Sequence, residues 1–389
     1  MMPELRIGNS DQELDEIRVL VRKGYLFAVQ EWIAEEKAIF VPADRFQDHQ
    51  CPLLISVQSG FHSMVQILAD VWPDEKSLVD ALHIAAIKRR LDIVWMLLSH
   101  VTNLKLICLY TIAGCNDKEL MRYFLDRWDE VDNEEGIQSI LMAMPRPLTG
   151  LIREYAPRFP NSQFQLAHAM RTFVSDDHPR WIGLTLWMGG NPRLRVPDSR
   201  YKEDDPDEWL SPLEYAALTG NVQALKLMKP SPERDDIDEL LKHVCFFRES
   251  GREAMEYLIK CGARINSKEN GGSLIFDRFF SDGFRYLSGQ YKSCPDYYDI
   301  KFLQSWIERG AKWVPSERYQ LTEARSSIRG MSANGLWDFL KTLSAAAEEY
   351  LLLDLCNSKI MRDALKLTNS EIKQRINAIY HPPQKKGRR

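Results

Sequence analysis

One segment carries a complete structural unit: Ser211-Pro212-Leu213-Glu214-Tyr215-Ala216-Ala217-Leu218-Thr219-Gly220-Asn221, followed directly by Val222-Gln223-Ala224-Leu225-Lys226-Leu227-Met228. Its order is an opening proline, a helix with small residues, a short turn and a second apolar helix. Residues 51–68 and residues 81–98 repeat the order of helix, turn and helix. One small motif repeated along a chain predicts a stack of helix pairs, whose surface is extended rather than built around one central pocket.

These segments resemble the ankyrin repeat, a turn plus two antiparallel helices of about 33 residues. The family pattern is T-P-L-H-x-A-A, a turn with glycine, V-x-x-L-L and the ending G-A-x-V-N. Residues 258–266 and 306–314 match that ending, and residues 186–192 match it more loosely. The resemblance implies an all-α, ankyrin-like solenoid of about nine or ten helix-turn-helix repeats over residues 1–320, with two inserted loops.

Each repeat is marked by an apolar pair on its second helix, which we expect to face the neighbouring repeat. Most successive pairs lie about 30 residues apart, which fits the period of the family. Apolar residues recur there at i, i+3, i+4 and i+7, which predicts a stripe along one helix face. The pairs are Ala28-Val29, Met64-Val65, Ile93-Val94, Leu120-Met121, Leu151-Ile152, Trp181-Ile182, Ala224-Leu225, Ala254-Met255 and Phe302-Leu303.

The turns between paired helices favour glycine, because the backbone there adopts a conformation that a Cβ atom makes costly. Gly24, Gly60 and Gly220 occupy this position in three repeats. The third repeat has Arg89 instead, and the fourth has Asn116. Asparagine tolerates such turns better than arginine, so we expect a locally altered turn at Arg89.

Two insertions interrupt the predicted repeats. The acidic segment 193–210 falls where the family has its projecting finger, and it is either a solvated loop or a contact arm for a basic partner. The segment 284–299 is rich in tyrosine, which is favoured at recognition surfaces; the alternative is that its rings cover the end of the stack. The candidate contact residues in the two insertions are Glu208, Trp209, Leu210, Tyr291, Tyr297 and Tyr298.

The regular pattern also weakens at two other places. In the repeat at 135–159, Met144-Pro145-Arg146-Pro147 should end one helix sharply and delay the next. From residue 321 to residue 380 we expect a degenerate repeat and a helical C-terminal cap, with a last second helix at 334–340 and further helix at 345–367. The tail 381–389 carries four basic residues. It is predicted to be disordered and solubilising, with contact to nucleic acid or an acidic protein as the alternative.

Composition limits the classes of function. The 389 residues are 44% hydrophobic and 27% charged, with a formal net charge of -4 and a pI near 6.1. This balance predicts a folded protein and disfavours nucleic acid as a partner, because dedicated binders usually carry a basic surplus. Seven scattered cysteines without a C-x-x-C motif suggest reduced thiols. With no signal peptide and no apolar run long enough for a membrane span, we expect a cytoplasmic protein without membrane contact.

The sequence contains only weak candidates for catalysis. It has no phosphate-binding glycine loop and no H-E-x-x-H motif. We therefore expect no metal, no cofactor and no small-molecule substrate. His83 stands where the family has its characteristic histidine, which usually forms a hydrogen bond within the turn. Arg171 and His178 have a separation seen in some helical ribonucleases, and Asp296 and Asp299 faintly resemble a nuclease carboxylate cluster.

The leading prediction is a non-enzymatic protein-interaction module, such as an adaptor, an inhibitor or a regulatory subunit. By resemblance, contacts come from the fingers and from the exposed end of each first helix. Ile87, Trp209 and Leu218 are of most interest, because exposed apolar residues among polar ones often mark an interface. The alternative is a nucleic-acid-processing or nucleic-acid-binding protein that uses the 284–299 insertion and the region after 321. The helix-end positions are Gln58, Ser59, Ile87, Lys88, Leu218 and Thr219.

Overall fold

A computed structural model describes most of the chain. The described residues are 7–8, 11–41, 51–132, 134, 136–197, 209–244, 249–266, 276, 304, 306–314 and 333–382. Regular structure within them is helical, and isolated bridges such as Ile7 with Phe40 do not extend into strands there. The predicted all-α class is therefore confirmed for this part of the chain.

The chain divides into two compact units, Met1–Phe173 with Arg180–Trp209, and Val174–Pro179 with Leu210–Arg389. The predicted boundary at residue 320 lies outside the described residues. The helices of the first unit, the last two of which cross its boundary, are α1 (Asp15–Arg22), α2 (Leu26–Ala34), α3 (Pro52–Ser59), α4 (His62–Ala69), α5 (Glu75–Ile87), α6 (Leu91–Leu98), α7 (Leu109–Gly114), α8 (Lys118–Leu125), α9 (Gly136–Met142), α10 (Thr149–Tyr155), α11 (Ser162–Ser175) and α12 (Pro179–Trp187).

In the first unit the helices pack in two rows, one of first helices and one of second helices. The first helices of successive pairs pack in sequence, α1 on α3, α3 on α5, α5 on α7 and α7 on α9. The second helices do the same, α2 on α4 and α4 on α6. Each pair also packs internally, as α3 does on α4 and α5 on α6. Each helix therefore buries its apolar stripe mainly against its own partner and against the equivalent helix of the next pair.

The apolar pairs predicted on the second helices lie where this packing requires them. Eight of the nine fall within helices, and their side chains are buried except for the half-buried Ala28. In α6 the i, i+3, i+4 pattern is complete, because Val94, Leu97 and Leu98 are all almost fully buried. The ninth pair, Phe302-Leu303, lies outside the described residues.

The turn at Arg89 is not altered, so that prediction was wrong. Arg89 has φ +55° and Asn116 has φ +59°, the same left-handed region as Gly60 at +78° and Gly220 at +71°. The N–H of Arg90 donates to the carbonyl of Ala85 at 2.9 Å, which is the closing hydrogen bond that also ends the glycine turns. Packing of the helices on both sides fixes this conformation, although the left-handed backbone is sterically unfavourable for an arginine.

Replacing Arg89 with glycine should therefore stabilise the protein. We expect Arg89→Gly to raise the free energy of unfolding by about 0.5–1 kcal/mol, because glycine adopts positive φ without a Cβ penalty. Urea denaturation measures the change. The control is Lys88→Gly, whose φ of -82° suits any residue. An equal gain in both variants would contradict the explanation.

Side-chain hydrogen bonds connect segments about one repeat length apart. Glu75 Oε1 accepts from the N–H of Thr102 at 2.6 Å and of Asn103 at 2.7 Å. These bonds lower the pKa of Glu75, with the Asn103 N–H as the largest cause. In the second unit, the carboxylate of Asp238 accepts from the N–H of Arg264 at 2.8 Å. Such bonds fix the first turn of the first helix in a pair to the loop that follows the second helix of that pair.

The described helices of the second unit continue beyond the region of clear repeats. The predicted helix at 345–367 is two helices. The first ends before Asn357, and Ser358 caps the start of the second. A last helix follows and packs on the first of the two. The labels are α13 (Pro212–Thr219), α14 (Val222–Met228), α15 (Ile237–His243), α16 (Glu249–Lys260), α17 (Ala333–Leu343), α18 (Glu349–Cys356), α19 (Lys359–Leu365) and α20 (Asn369–Tyr380).

The interrupted repeat behaves as its prolines predict. Helix α9 ends at Met142, Met144 has φ +51°, and a short 3-10 helix precedes α10. Of the first insertion, only 193–197 and 209–210 belong to the described residues. The second insertion at 284–299 and the tail from residue 383 lie outside them.

Candidate protein-interaction surface

The predicted contact residues of the first unit lie at helix ends. Gln58 and Ser59 are exposed at the end of α3. Ile87 ends α5 with 72% of its surface exposed, and Lys88 follows it, also exposed. Because α3 packs on α5, the structure brings these two helix ends onto neighbouring elements.

The other predicted residues are less accessible or lie outside the described part. Trp209 is half-buried, with its ring 6.0 Å from that of Phe164, and Leu210 is half-buried as well. In the second unit Leu218 and Thr219 are half-buried at the end of α13. Trp209 and Leu218 are therefore less exposed than Ile87, whereas all three were expected to be exposed. Four candidates lie outside the described residues: Glu208, Tyr291, Tyr297 and Tyr298.

Three successive turns of the first unit form one continuous surface, which we call the turn surface, comprising residues 22–27, 58–63 and 87–92. The Phe61 ring covers Gly24 so closely that a Cβ atom there would lie 3.2 Å from it. The Arg90 guanidinium covers Gly60 in the same way and donates to the carbonyl of Val57. The second turn therefore contacts both the first and the third.

Apolar side chains project from the turn surface into solvent. Phe27 is 83% exposed, the largest value among the large hydrophobic residues that the structure describes, and Ile87 and Tyr25 are also exposed. Lys23 Nζ lies 5.8 Å from the centre of the Tyr25 ring. Single exposed apolar residues are normal, but a group of them ringed by polar side chains is typical of an interaction site.

The turn surface is also strongly basic. It carries Arg22, Lys23, Lys88, Arg89 and Arg90, against a single carboxylate, that of Asp92. Sequence reasoning identified Ile87 and Lys88 but missed this clustering, because the basic residues are spread over nearly seventy positions of the chain. The regular turn positions provide the signal that could have found them.

A separate groove of about 360 Å³ lies between the loop before α7 and the start of α9. Leu106 and Cys108 are exposed along it. Its size is at the small end of known ligand pockets. The lining residues are Lys105, Leu106, Ile107, Cys108, Leu109, Asp132, Glu134 and Ser139.

His83 is committed to a structural hydrogen bond beside this groove. Its Nε2 accepts from the N–H of Cys108 at 2.9 Å, which joins α5 to the start of α7. Because that nitrogen is occupied, it is not free to take a proton from the Cys108 thiol, as a nucleophilic mechanism would require. The hydrogen bond of His83 was expected within its own turn, and the structure forms it instead with the start of α7.

The free energy of unfolding should fall below about pH 6.5 because of His83. Burial lowers the pKa of His83, although Asp80 acts in the opposite direction. As the pH falls, the unfolded chain therefore takes up a proton before the folded ring does, and the folded state loses stability until the folded ring also titrates. Urea midpoints from about pH 8 to about pH 5 measure this loss.

The matched variant is His83→Gln, whose amide oxygen can accept from Cys108 without titrating. It should flatten the pH dependence, whereas an unchanged slope would assign the effect to another group.

Of the candidates for catalysis, Arg171 is engaged in a structural hydrogen bond, whereas Asp296 and Asp299 lie outside the described residues. Arg171 is buried and donates from Nη1 to the carbonyl of Val196 at 2.6 Å, so its guanidinium is not presented to a phosphate. Burial raises the pKa of the Cys51 thiol to about 12. Within the described residues, no three His, Cys, Asp or Glu side chains converge as a metal site would need.

Comparisons with known proteins add no assignment. None of the described helices combines the length and the apolar character that a membrane crossing requires. The chain matches no known family model, and no curated protein is significantly similar to it in sequence.

Proposed function

We propose that this chain is a non-enzymatic protein-interaction module built as an ankyrin-like solenoid, and that it acts as an adaptor, an inhibitor or a regulatory subunit. Two structural features support the solenoid. Along the first unit, each first helix packs on the next first helix and each second helix packs on the next second helix. Hydrogen bonds such as that of Glu75 with Asn103 connect positions separated by about one repeat.

The observation that carries the proposal is the exposure of Ile87 beside Lys88 at the end of a first helix. An isoleucine with 72% of its surface in water gains nothing for folding from that position. Burying such a side chain against a partner is worth about 1–2 kcal/mol. Burial of several such residues on one surface stabilises a protein interface. Aliphatic side chains supply no acid, base or nucleophile for a reaction.

Affinity purification of the tagged full chain from its own host tests the proposal. We expect one stoichiometric protein partner, whose recovery is lost with Ile87→Asp. The control is Tyr350→Asp, which changes another exposed apolar residue, 60% accessible, on α18. Recovery of nucleic acid alone, or of the partner at equal yield with Ile87→Asp, would contradict the proposal.

A further inference from the structure

We infer that the turn surface binds an acidic segment of the partner protein that also carries apolar side chains. The inference rests on the proposed function and adds the chemistry and the location of the contact. The occupant is an extended peptide segment with Asp or Glu residues and at least one large apolar residue.

Charge is the first reason. The turn surface holds five basic residues and one acidic residue, whereas the whole chain has a net charge of -4. The next turn, at 114–119, does not continue this pattern, because Asp117 and Glu119 outnumber Lys118. The positive potential is therefore local to three turns, and it attracts a negatively charged partner.

The basic side chains are available for such a partner. No carboxylate among the described residues forms an ion pair with Arg22, Lys23, Lys88 or Arg89, in contrast to the paired Arg18 on α1. Arg90 is held in place by its bond to the Val57 carbonyl. Binding of carboxylates at this surface therefore breaks no existing ion pair, and the positive ends of α2, α4 and α6 add to the attraction.

The dimensions suit a short peptide. Packed helices lie about 10 Å apart, so three adjacent turns span about 20 Å. An extended chain covers this distance with about six residues. Such a segment can place acidic side chains near the basic residues of the first and third turns while an apolar side chain reaches Phe27, Tyr25 or Ile87.

The exposed apolar residues favour a protein over nucleic acid. A phosphate backbone would use the basic residues, and bases could stack on Phe27 or Tyr25. The aliphatic side chain of Ile87, 72% exposed, offers no stacking surface to a base. The negative charge of the remaining chain also opposes a long polyanion. An acidic peptide with apolar residues uses the basic side chains, the aromatic rings and Ile87, whereas nucleic acid leaves Ile87 unused and a purely acidic peptide leaves all the apolar side chains unused.

Selection of random peptides displayed on phage against the full chain tests the inference. We expect the selected peptides to be enriched in both acidic and large apolar residues. Their binding should weaken about tenfold or more in the double variant Lys88→Glu and Arg89→Glu. The control is Lys76→Glu with Lys105→Glu, which reverses two exposed charges outside the turn surface and should leave binding unchanged.

Other outcomes overturn the inference. They are a failure to select peptides, selection of peptides without acidic residues, equal binding of polyglutamate, and tighter binding of single-stranded DNA in the same assay. Recovery of the host protein partner distinguishes a failure of this inference from a failure of the proposed function. If it is recovered with Lys88→Glu and Arg89→Glu at full yield, the protein-binding function stands and the assignment to the turn surface fails.

Discussion

Leu97→Asp is expected to unfold the helix pair α5–α6 together with at least one neighbouring pair. Leu97 is fully buried in α6, which packs on both α4 and α5. The substitution removes an apolar side chain from this contact and places an unpaired carboxylate in it. Together these changes should lower the free energy of unfolding by about 4 kcal/mol.

The loss should be local, because each helix pair depends on its neighbours. Hydrogen exchange by mass spectrometry should show lost protection across residues 80–125, including α8, whose Tyr123 ring lies 5.5 Å from that of Trp95 on α6. The control is Ser99→Asp, which places the same charge on an exposed residue directly after α6. Unchanged protection around Leu97→Asp would refute the assignment of this residue to the core.

Asp11→Ala should have the second largest effect, because it removes the principal partner of a buried cation. Arg18 has only 1% of its side chain exposed, and Nη1 donates to both the carbonyl and the Oδ2 atom of Asp11 at 3.1 Å. Burial lowers the pKa of Arg18, but the bonds to Asp11 and Asp15 outweigh it and leave the pKa raised. Without Asp11, the free energy of unfolding should fall by about 2 kcal/mol.

Two further variants separate the lost partner from the lost charge. Asp15→Ala removes a carboxylate that is 71% exposed, so it should cost less than about 1 kcal/mol. Arg18→Met removes the buried charge itself, and it should cost less than Asp11→Ala because no cation is left without its partner. Urea denaturation of the three variants gives the order, and an equal loss in Asp11→Ala and Asp15→Ala would contradict it.

The helices could be predicted from sequence because their signals are local. The spacing of Ile93, Val94 and Leu97 reports a buried helix face without knowledge of its neighbours. Pro145 likewise marks the end of α9 from sequence alone. The capping box of Thr368 and Glu371, which begins α20, is local too and was overlooked.

Arg89 shows where local reasoning fails. Its side chain disfavours the left-handed conformation, and a prediction from propensity alone expects the turn to change. The turn is nevertheless kept, because α5 and α6 pack on each other and on their neighbours. The energy of that packing exceeds the penalty of about 1–2 kcal/mol for one residue.

The accessibility of the candidate site could not be predicted either. Ile87 and Leu218 occupy equivalent positions two residues before their turns, yet one is exposed and the other half-buried. Exposure depends on which neighbours cover a side chain, and those neighbours come from distant parts of the sequence. The same holds for Trp209, whose ring lies near that of Phe164.

The sequence by itself determined the helical class, the alternation of helix and turn, and the apolar faces, because each depends on residues within about seven positions of one another. Only the tertiary structure decided that Phe27, Ile87 and the basic residues of the first and third turns share one surface. Packing of successive helices brings together residues that are up to seventy positions apart, and no local pattern encodes that distance.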